Sequence, residues 1–244
     1  MVCLLDYNIS FPHPELPIFD GNDGEIAQGG DLSARRLLLA YRHGIFPWFP
    51  YYYSDILWYA PRQRCVIFPS QVHVSHSMRT LMNKRLYRVT FNTAFDRVIK
   101  ACATADARNQ EVGAWLGEEM IEAYCHLHRL GHARSVEVWR DNNLVGGLYG
   151  VLTGAGFVGE SMFSYEPNTS KLALIALARK MQERGMVLID CQIPTPHLMH
   201  LPDQAGDDVQ DPGRALCGYR IQLFCLHGDR HLAADICGMD DRIP

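Results

Sequence analysis

In the run Leu188-Ile189-Asp190-Cys191-Gln192, a carboxylate and a carboxamide stand two positions apart among apolar residues. Along an extended strand, alternate residues leave the same face, so Asp190 and Gln192 are expected to act side by side. A carboxylate in such surroundings is costly to bury without partners. It is either a structural Asp bonded to a neighbouring loop, or a group that orients Gln192 or helps to take a proton from an attacking amine. Gly159-Glu160-Ser161-Met162-Phe163-Ser164 is a second polar insertion in an apolar strand. The same periodicity predicts that Glu160 and Met162 share a face. Glu160 is a surface residue on a half-exposed strand or the acid of a site. Met162 is a core residue or the thioether wall of an adaptable apolar pocket.

Other patterns carry less chemistry. Gly154-Ala155-Gly156 is too short for a dinucleotide fingerprint and reads as a turn. His126 and His128 are two apart on a predicted helix and cannot present one face to a metal. None of the eight cysteines forms a CxxC pair, which argues against a zinc site or a thioredoxin-like redox site. With no export signal at the N-terminus, they are expected to be reduced thiols in a cytoplasmic protein. No apolar run approaches the roughly 20 residues that a membrane span needs. The net charge of −4 hides an asymmetry. From Pro61 to Lys100, eight Lys and Arg face only Asp96, whereas the tail from Leu201 to Pro244 has eight Asp against four Arg. The basic block is either a solvated helix face or a phosphate-backbone contact.

The elements that must hold these residues are legible in outline. Residues 1–32, rich in Pro, Gly and Asp, are expected to be mostly loop. Ser33 can cap a helix to about Arg42 that Gly44 stops, and Ser75 a second helix carrying Met78, Leu81 and Met82. Arg88 to Phe91 is predicted as strand, Thr93 as the opening of a helix through Ala103, and Glu118 to Leu130 as another helix. Ser135 to Trp139 and Leu144 to Leu152 form a predicted hairpin around Asp141-Asn142-Asn143, followed by a strand from Phe157 to Phe163. Asn168 or Thr169 caps a long helix to Arg184, and Val187 to Gln192 is expected as a buried strand. Hairpin, strand, helix, strand is an order found in acetyltransferase-like α/β domains. Tyr219 to Leu226 is one further expected strand.

These signals combine in order along the chain. Gly29-Gly30-Asp31-Leu32-Ser33, Ala40 to Phe49, Ile56-Leu57-Trp58, His132 to Trp139, Leu144 to Val151, Gly159 to Ser164, Ser170-Lys171 and Leu188 to Gln192 together closely resemble the bacterial leucyl/phenylalanyl-tRNA–protein transferase family. The resemblance covers about four-fifths of the chain, roughly residues 11–198. It implies an α+β protein with a small N-terminal domain, residues 1–62, and a C-terminal acetyltransferase-like (GNAT) domain, residues 63–244, of which 202–244 is an atypical acidic tail. The implied activity is transfer of Leu, Phe or Met from aminoacyl-tRNA to proteins beginning with Arg or Lys, marking them for N-end-rule degradation. It also implies no metal and no cofactor, a cytoplasmic location away from membranes, and a monomer. An aminoacyl ester is already activated, so the enzyme mainly positions two substrates.

Carried over by the resemblance, Asp190 and Gln192 match a proton-relay pair and Glu160 the acidic residue of the site. Met162, Ile189 and Phe46 match the apolar pocket, and Trp48 and Trp115 aromatic residues near the 3′-terminal adenosine, where a base can stack. Arg79, Lys84, Arg85 and His76 match the acceptor-stem contact, made through phosphates without sequence readout. His76 stands where the family usually has Arg. Tyr59-Ala60 replaces a usual Trp-Ser, and Gly113-Ala114-Trp115-Leu116 a usual Gly-Thr-Trp-Ile. At His197 to Pro202 the chain departs from the family's Ser-Leu-Gly and closing amphipathic helix. Two rivals stand beside this reading. An acetyl-CoA-dependent acyltransferase would need a Gly-rich loop before the long helix, where Tyr165-Glu166-Pro167-Asn168-Thr169 stands instead. The other is a degenerate, non-catalytic tRNA- or protein-binding member of the same fold.

Overall fold

A computed structural model describes residues 3–6, 8–12, 24–48, 55–61, 64–109 and 116–193, with side chains throughout except at 106–109. Trp115, the acidic tail and the strand expected at Tyr219 to Leu226 lie outside the described residues.

The first strands stand where loop was expected. β1 (Cys3–Leu5) pairs in parallel with β2 (Glu25–Gly29), which takes Ile26 and Ala27 into the core. Both strands are short and hold their place by pairing, which a Gly- and Asp-rich composition does not reveal. The side chain of Ser33 accepts the N–H of Arg36 and opens α1 (Ala34–Arg42), as the capping pattern predicts. β3 (Phe46–Trp48) and β4 (Leu57–Tyr59) complete a four-stranded sheet in the order β1-β2-β4-β3.

β5 (Val66–Ile67) begins a second, six-stranded sheet. Ser75 caps α2 (His76–Asn83), which leads to β6 (Arg88–Phe91). α3 (Phe95–Asn109) starts later than predicted. Thr93 is drawn away to Glu137, donating from Oγ1 at 2.9 Å, and Ala94 O instead receives the N–H groups of Arg97 and Val98. After α4 (Glu118–Arg129), the hairpin β7 (Ala133–Arg140) and β8 (Asn143–Thr153) turns at Asp141-Asn142, and β9 (Gly156–Ser164) pairs antiparallel with β8. α5 (Thr169–Glu183) then returns the chain to β10 (Leu188–Asp190), parallel to β9 and antiparallel to β5. The sheet order is β5-β10-β9-β8-β7-β6, and the protein is mixed α+β with a small N-terminal sheet and a larger mixed C-terminal one.

Two apolar clusters cover the faces of the larger sheet. One joins α3, α4 and the small sheet through Phe95, Ile99, Tyr124, Tyr149 and Trp58. The other packs Leu172, Ile175 and Met181 of α5 against Val138, Leu148, Phe157 and Ile189. β8 and β9 approach so closely at Gly150 that an added Cβ would lie 2.1 Å from Val158 O and 2.6 Å from the Phe157 ring. Gly150→Ala is therefore expected to destabilise the protein by at least about 1–3 kcal/mol, read as a lower thermal midpoint. At Gly154, where nothing lies within 4 Å of the added Cβ, only the strain of its positive φ is expected.

Candidate active site

β10 ends at Asp190, two residues earlier than expected. Asp190 Oδ1 accepts the backbone N–H of Gln192 at 2.8 Å, and Gln192 takes a left-handed φ of 60°. This local bond competes with the ladder and turns the chain. Asp190 and Gln192 therefore come together through a turn, not through strand alternation.

The other side of Asp190 is held by Arg64. Its Nη2 lies 2.5 Å from Oδ2 and its Nε 3.2 Å from Oδ1, a two-pronged ion pair, while Nη1 donates to Gly44 O at 3.1 Å. The guanidinium lies 4.9 Å over the Phe46 ring. Side-chain exposure is 8% for Arg64 and 16% for Asp190, so each charge depends on the other.

Glu160 enters from β9 through an irregularity. The β8–β9 register shifts between Tyr149, opposite Ser161, and Gly150, opposite Gly159, which leaves Glu160 as the extra residue of a bulge. The bulge overturns the shared face predicted for Glu160 and Met162. Glu160 meets Tyr124 of the α3–α4 cluster, whereas Met162 packs with the α5 cluster. Ile189 also lies in the α5 cluster, 1% exposed.

Glu160 is the hub of the site. Oε1 accepts Gln192 Nε2 at 2.9 Å, Oε2 accepts Tyr124 Oη at 3.0 Å, and Tyr124 Oη is hydrogen-bonded in turn to Tyr41 Oη. Burial pushes the Glu160 carboxyl up to about 7 from its ordinary 4.5. The tyrosine hydroxyls oppose that rise, the Asp190 charge adds to it, and Arg64 opposes it. Both tyrosine hydroxyls are raised well above their ordinary value, by burial first and then by the Glu160 charge, so they remain donors. Tyr124→Phe removes a bond that favours the Glu160 anion and leaves buried Tyr41 with Glu160 but without its Tyr124 partner. The expected results are a Glu160 titration above 7 in NMR and a stability loss of about 1–3 kcal/mol.

Three of the expected residues, Asp190, Gln192 and Glu160, thus form one hydrogen-bonded cluster. Phe46 joins it beneath Arg64 and stacks on Tyr59 at 6.2 Å, while Trp48, 36% exposed, meets the edge of Tyr59 at 5.4 Å. His76, Arg79, Lys84 and Arg85 are exposed on α2 or just past its end, with Met78 turned into the α5 cluster. Arg64, Tyr41 and Tyr124 belong to the site although sequence reasoning did not single them out. Arg64 is one of the cations of the basic block, and Tyr41 lies in the run Ala40 to Phe49. Their side-chain partners are 36 to 126 residues distant in sequence.

The cluster fixes a carboxamide between a carboxylate and a backbone turn, next to an acid poised near neutrality. It can hold and receive a proton at a nitrogen nucleophile. Residues 66–207 match the family described as leucyl/phenylalanyl-tRNA protein transferase, and residues 30–62 its N-terminal domain. A leucyl/phenylalanyl-tRNA–protein transferase of Pseudomonas fluorescens is 51% identical over 198 residues, 81% of this chain and 86% of that protein. Those of Idiomarina loihiensis and Salmonella typhimurium are 48% and 49% identical, over 82% of this chain and 84% and 83% of theirs. Among solved structures, L-PGS from Bacillus licheniformis aligns at 12% identity over 77% of this chain and 56% of its own, with a TM-score of 0.40, too loose a likeness to argue from.

Proposed function

The chain belongs to the leucyl/phenylalanyl-tRNA–protein transferase family, and we propose that it transfers Leu, Phe or Met from aminoacyl-tRNA to the N-terminal Arg or Lys of acceptor proteins, marking them for N-end-rule degradation. The observation that carries this reading is the convergence of Glu160, Gln192 and Asp190 at one point beside the Phe46–Tyr59–Trp48 aromatics. The reaction is aminolysis of an ester. The neutral acceptor amine attacks the aminoacyl carbonyl, the bond to the ribose oxygen breaks, and the amine's proton must reach that oxygen. An N-terminal amine with a pKa of about 8 is partly neutral at cellular pH, so a modest proton acceptor suffices.

In this reading Gln192 contacts the amine. Its amide nitrogen is committed to Glu160, so its carbonyl oxygen is the group that accepts an amine N–H. Asp190 acts as a positioning residue through the Gln192 backbone, and Arg64 positions Asp190. Ionised Glu160 fixes the Gln192 amide and attracts a cationic acceptor terminus. Phe46 and Trp48 line the aminoacyl and adenosine side, while Met162 and Ile189 support the strands from the α5 side. Exposed Arg79, Lys84, Arg85 and His76 contact acceptor-stem phosphates.

An acetyltransferase-like (GNAT) topology for the larger sheet belongs to the same proposal, without the anion cradle that a CoA pyrophosphate would use. Ser164 Oγ already accepts the Ser170 N–H at the start of α5, and Glu166 stands there, bound to Tyr87 and Arg140 at 2.7 and 3.0 Å. The test is transfer of labelled Leu from charged tRNA to an Arg-starting peptide, with Val-charged tRNA and a Gly-starting peptide as controls. Selective transfer is expected. Binding of charged tRNA without transfer would instead identify a non-catalytic member.

A further inference from the structure

On the α5 side of the strand that carries Asp190, two thiols face each other. Asp190 pairs with Val66 and Ile189 with Ile67 in the antiparallel register of β10 and β5, which brings Cys191 opposite Cys65. The ladder continues past both strands, with Cys191 N–H donating to Cys65 O at 2.8 Å and Cys65 N–H to Gln192 O at 3.0 Å. The two thiols interact, and neither is in a disulfide. Cys191 packs with Ile189 at the α5 cluster, so the thiol pair backs directly onto the Arg64–Asp190 ion pair. Cys65 is buried and Cys191 is partly exposed as a residue, and β5 is the outermost strand of its sheet.

We propose that Cys65 and Cys191 form a reversible disulfide that switches the neighbouring site off. Opposed residues of an antiparallel pair hold their Cβ atoms about 4.5–5.5 Å apart, and a disulfide draws them to about 3.5–4.5 Å. Closing that gap moves the peptides that carry Arg64, Asp190 and Gln192. With glutathione disulfide as oxidant, the Cys191 thiolate attacks one of its sulfurs and releases one glutathione thiolate. Cys65, deprotonated, then attacks the Cys191 sulfur of the mixed disulfide and releases the second. Two protein thiols become one disulfide, one glutathione disulfide becomes two glutathiones, and the two protons pass to the released thiolates. The neighbouring Cys65 thiol, and then burial, hold the Cys191 thiol well above its ordinary value, so closure is slow and needs a sustained oxidant.

The inference that transfer changes rests on the transferase reading, whereas bond formation does not. The full chain is incubated in glutathione buffers of rising disulfide content, alkylated, digested and mapped, with transfer assayed in parallel. A linked Cys65–Cys191 peptide is expected, with transfer lowered about tenfold or more by a displacement on the ångström scale and restored by dithiothreitol. Cys65→Ala, which lies outside the reacting groups, is expected to keep its activity under the same oxidant. No linked peptide at the most oxidising buffer overturns the proposal, as does an oxidised wild type that transfers undiminished or a Cys65→Ala protein that is inhibited equally. A reduced protein that forms the linked peptide but never transfers overturns the functional reading and leaves the bond itself established.

Discussion

Replacing Asp190 with Asn is expected to lower the rate of transfer at least about tenfold, which is about 1.4 kcal/mol of transition-state stabilisation, while binding of charged tRNA is unchanged. Asn keeps an oxygen that can accept the Gln192 N–H, so the turn is not abolished by its loss. What goes is the charge that faces Arg64 at 2.5 Å in a pair whose members are 8% and 16% exposed. Removing one partner of such a pair leaves the other buried and uncompensated, at a cost of about 3 kcal/mol. The guanidinium then turns toward water or toward the Glu160 carboxylate, and the Gln192 amide loses its fixed place. A second variant separates position from stability. Asp190→Asn with Arg64→Met removes the stranded cation and recovers part of the melting temperature, but recovers no transfer if the carboxylate's task is to place Gln192. Parallel loss of tRNA binding and transfer in Asp190→Asn would make Asp190 a structural residue alone.

The same pair shows where sequence reasoning ends. The caps at Ser33 and Ser75 and the Asp141-Asn142 turn are local chemistry, written within four residues and read without knowing the fold. The polar insertions in apolar strands marked Asp190, Gln192 and Glu160, because burial of a carboxylate demands a reason wherever it occurs. Their geometry was another matter. The period-two rule assumes an unbroken ladder, and it failed at both ends of the site. A bulge separates Glu160 from Met162, and a left-handed Gln192 ends β10. Arg64 looked like one more cation in a basic block, although 126 residues along the chain stands the carboxylate that takes it inward. Tyr41 and Tyr124 meet across 83 residues and carried no signal of their own. Local propensity shows that an element exists, whereas tertiary pairing decides which residue breaks its regularity.

Glu160→Gln is expected to alter pH dependence more than fold. The Glu160 carboxyl ionises near 7 in the folded protein and near its ordinary 4.5 when unfolded. Between those values the native state holds a proton that the unfolded chain has released, so unfolding free energy falls as pH rises from about 4.5 to about 7 and is level above it. The full shift corresponds to about 3 kcal/mol, an upper bound because Glu160 keeps some exposure. Glu160→Gln imitates the protonated form and removes this slope, so its stability should exceed that of the wild type by a margin that grows from about pH 4.5 to about 7 and is constant above it. Activity should move the opposite way. The ionised carboxylate is the form that accepts from both Gln192 and Tyr124 and attracts a cationic acceptor, so wild-type kcat/KM rises through a limb near 7. A second limb near 8 belongs to the acceptor amine itself. The variant should keep the amine's limb and lose the lower one. It should transfer much like the wild type near pH 6 and at least about tenfold more slowly at pH 8, where a charge-assisted bond has gone. Stability and activity that both decline in Glu160→Gln at every pH would instead make Glu160 a packing residue. A lower limb that survives the substitution would place the titrating group elsewhere in the cluster.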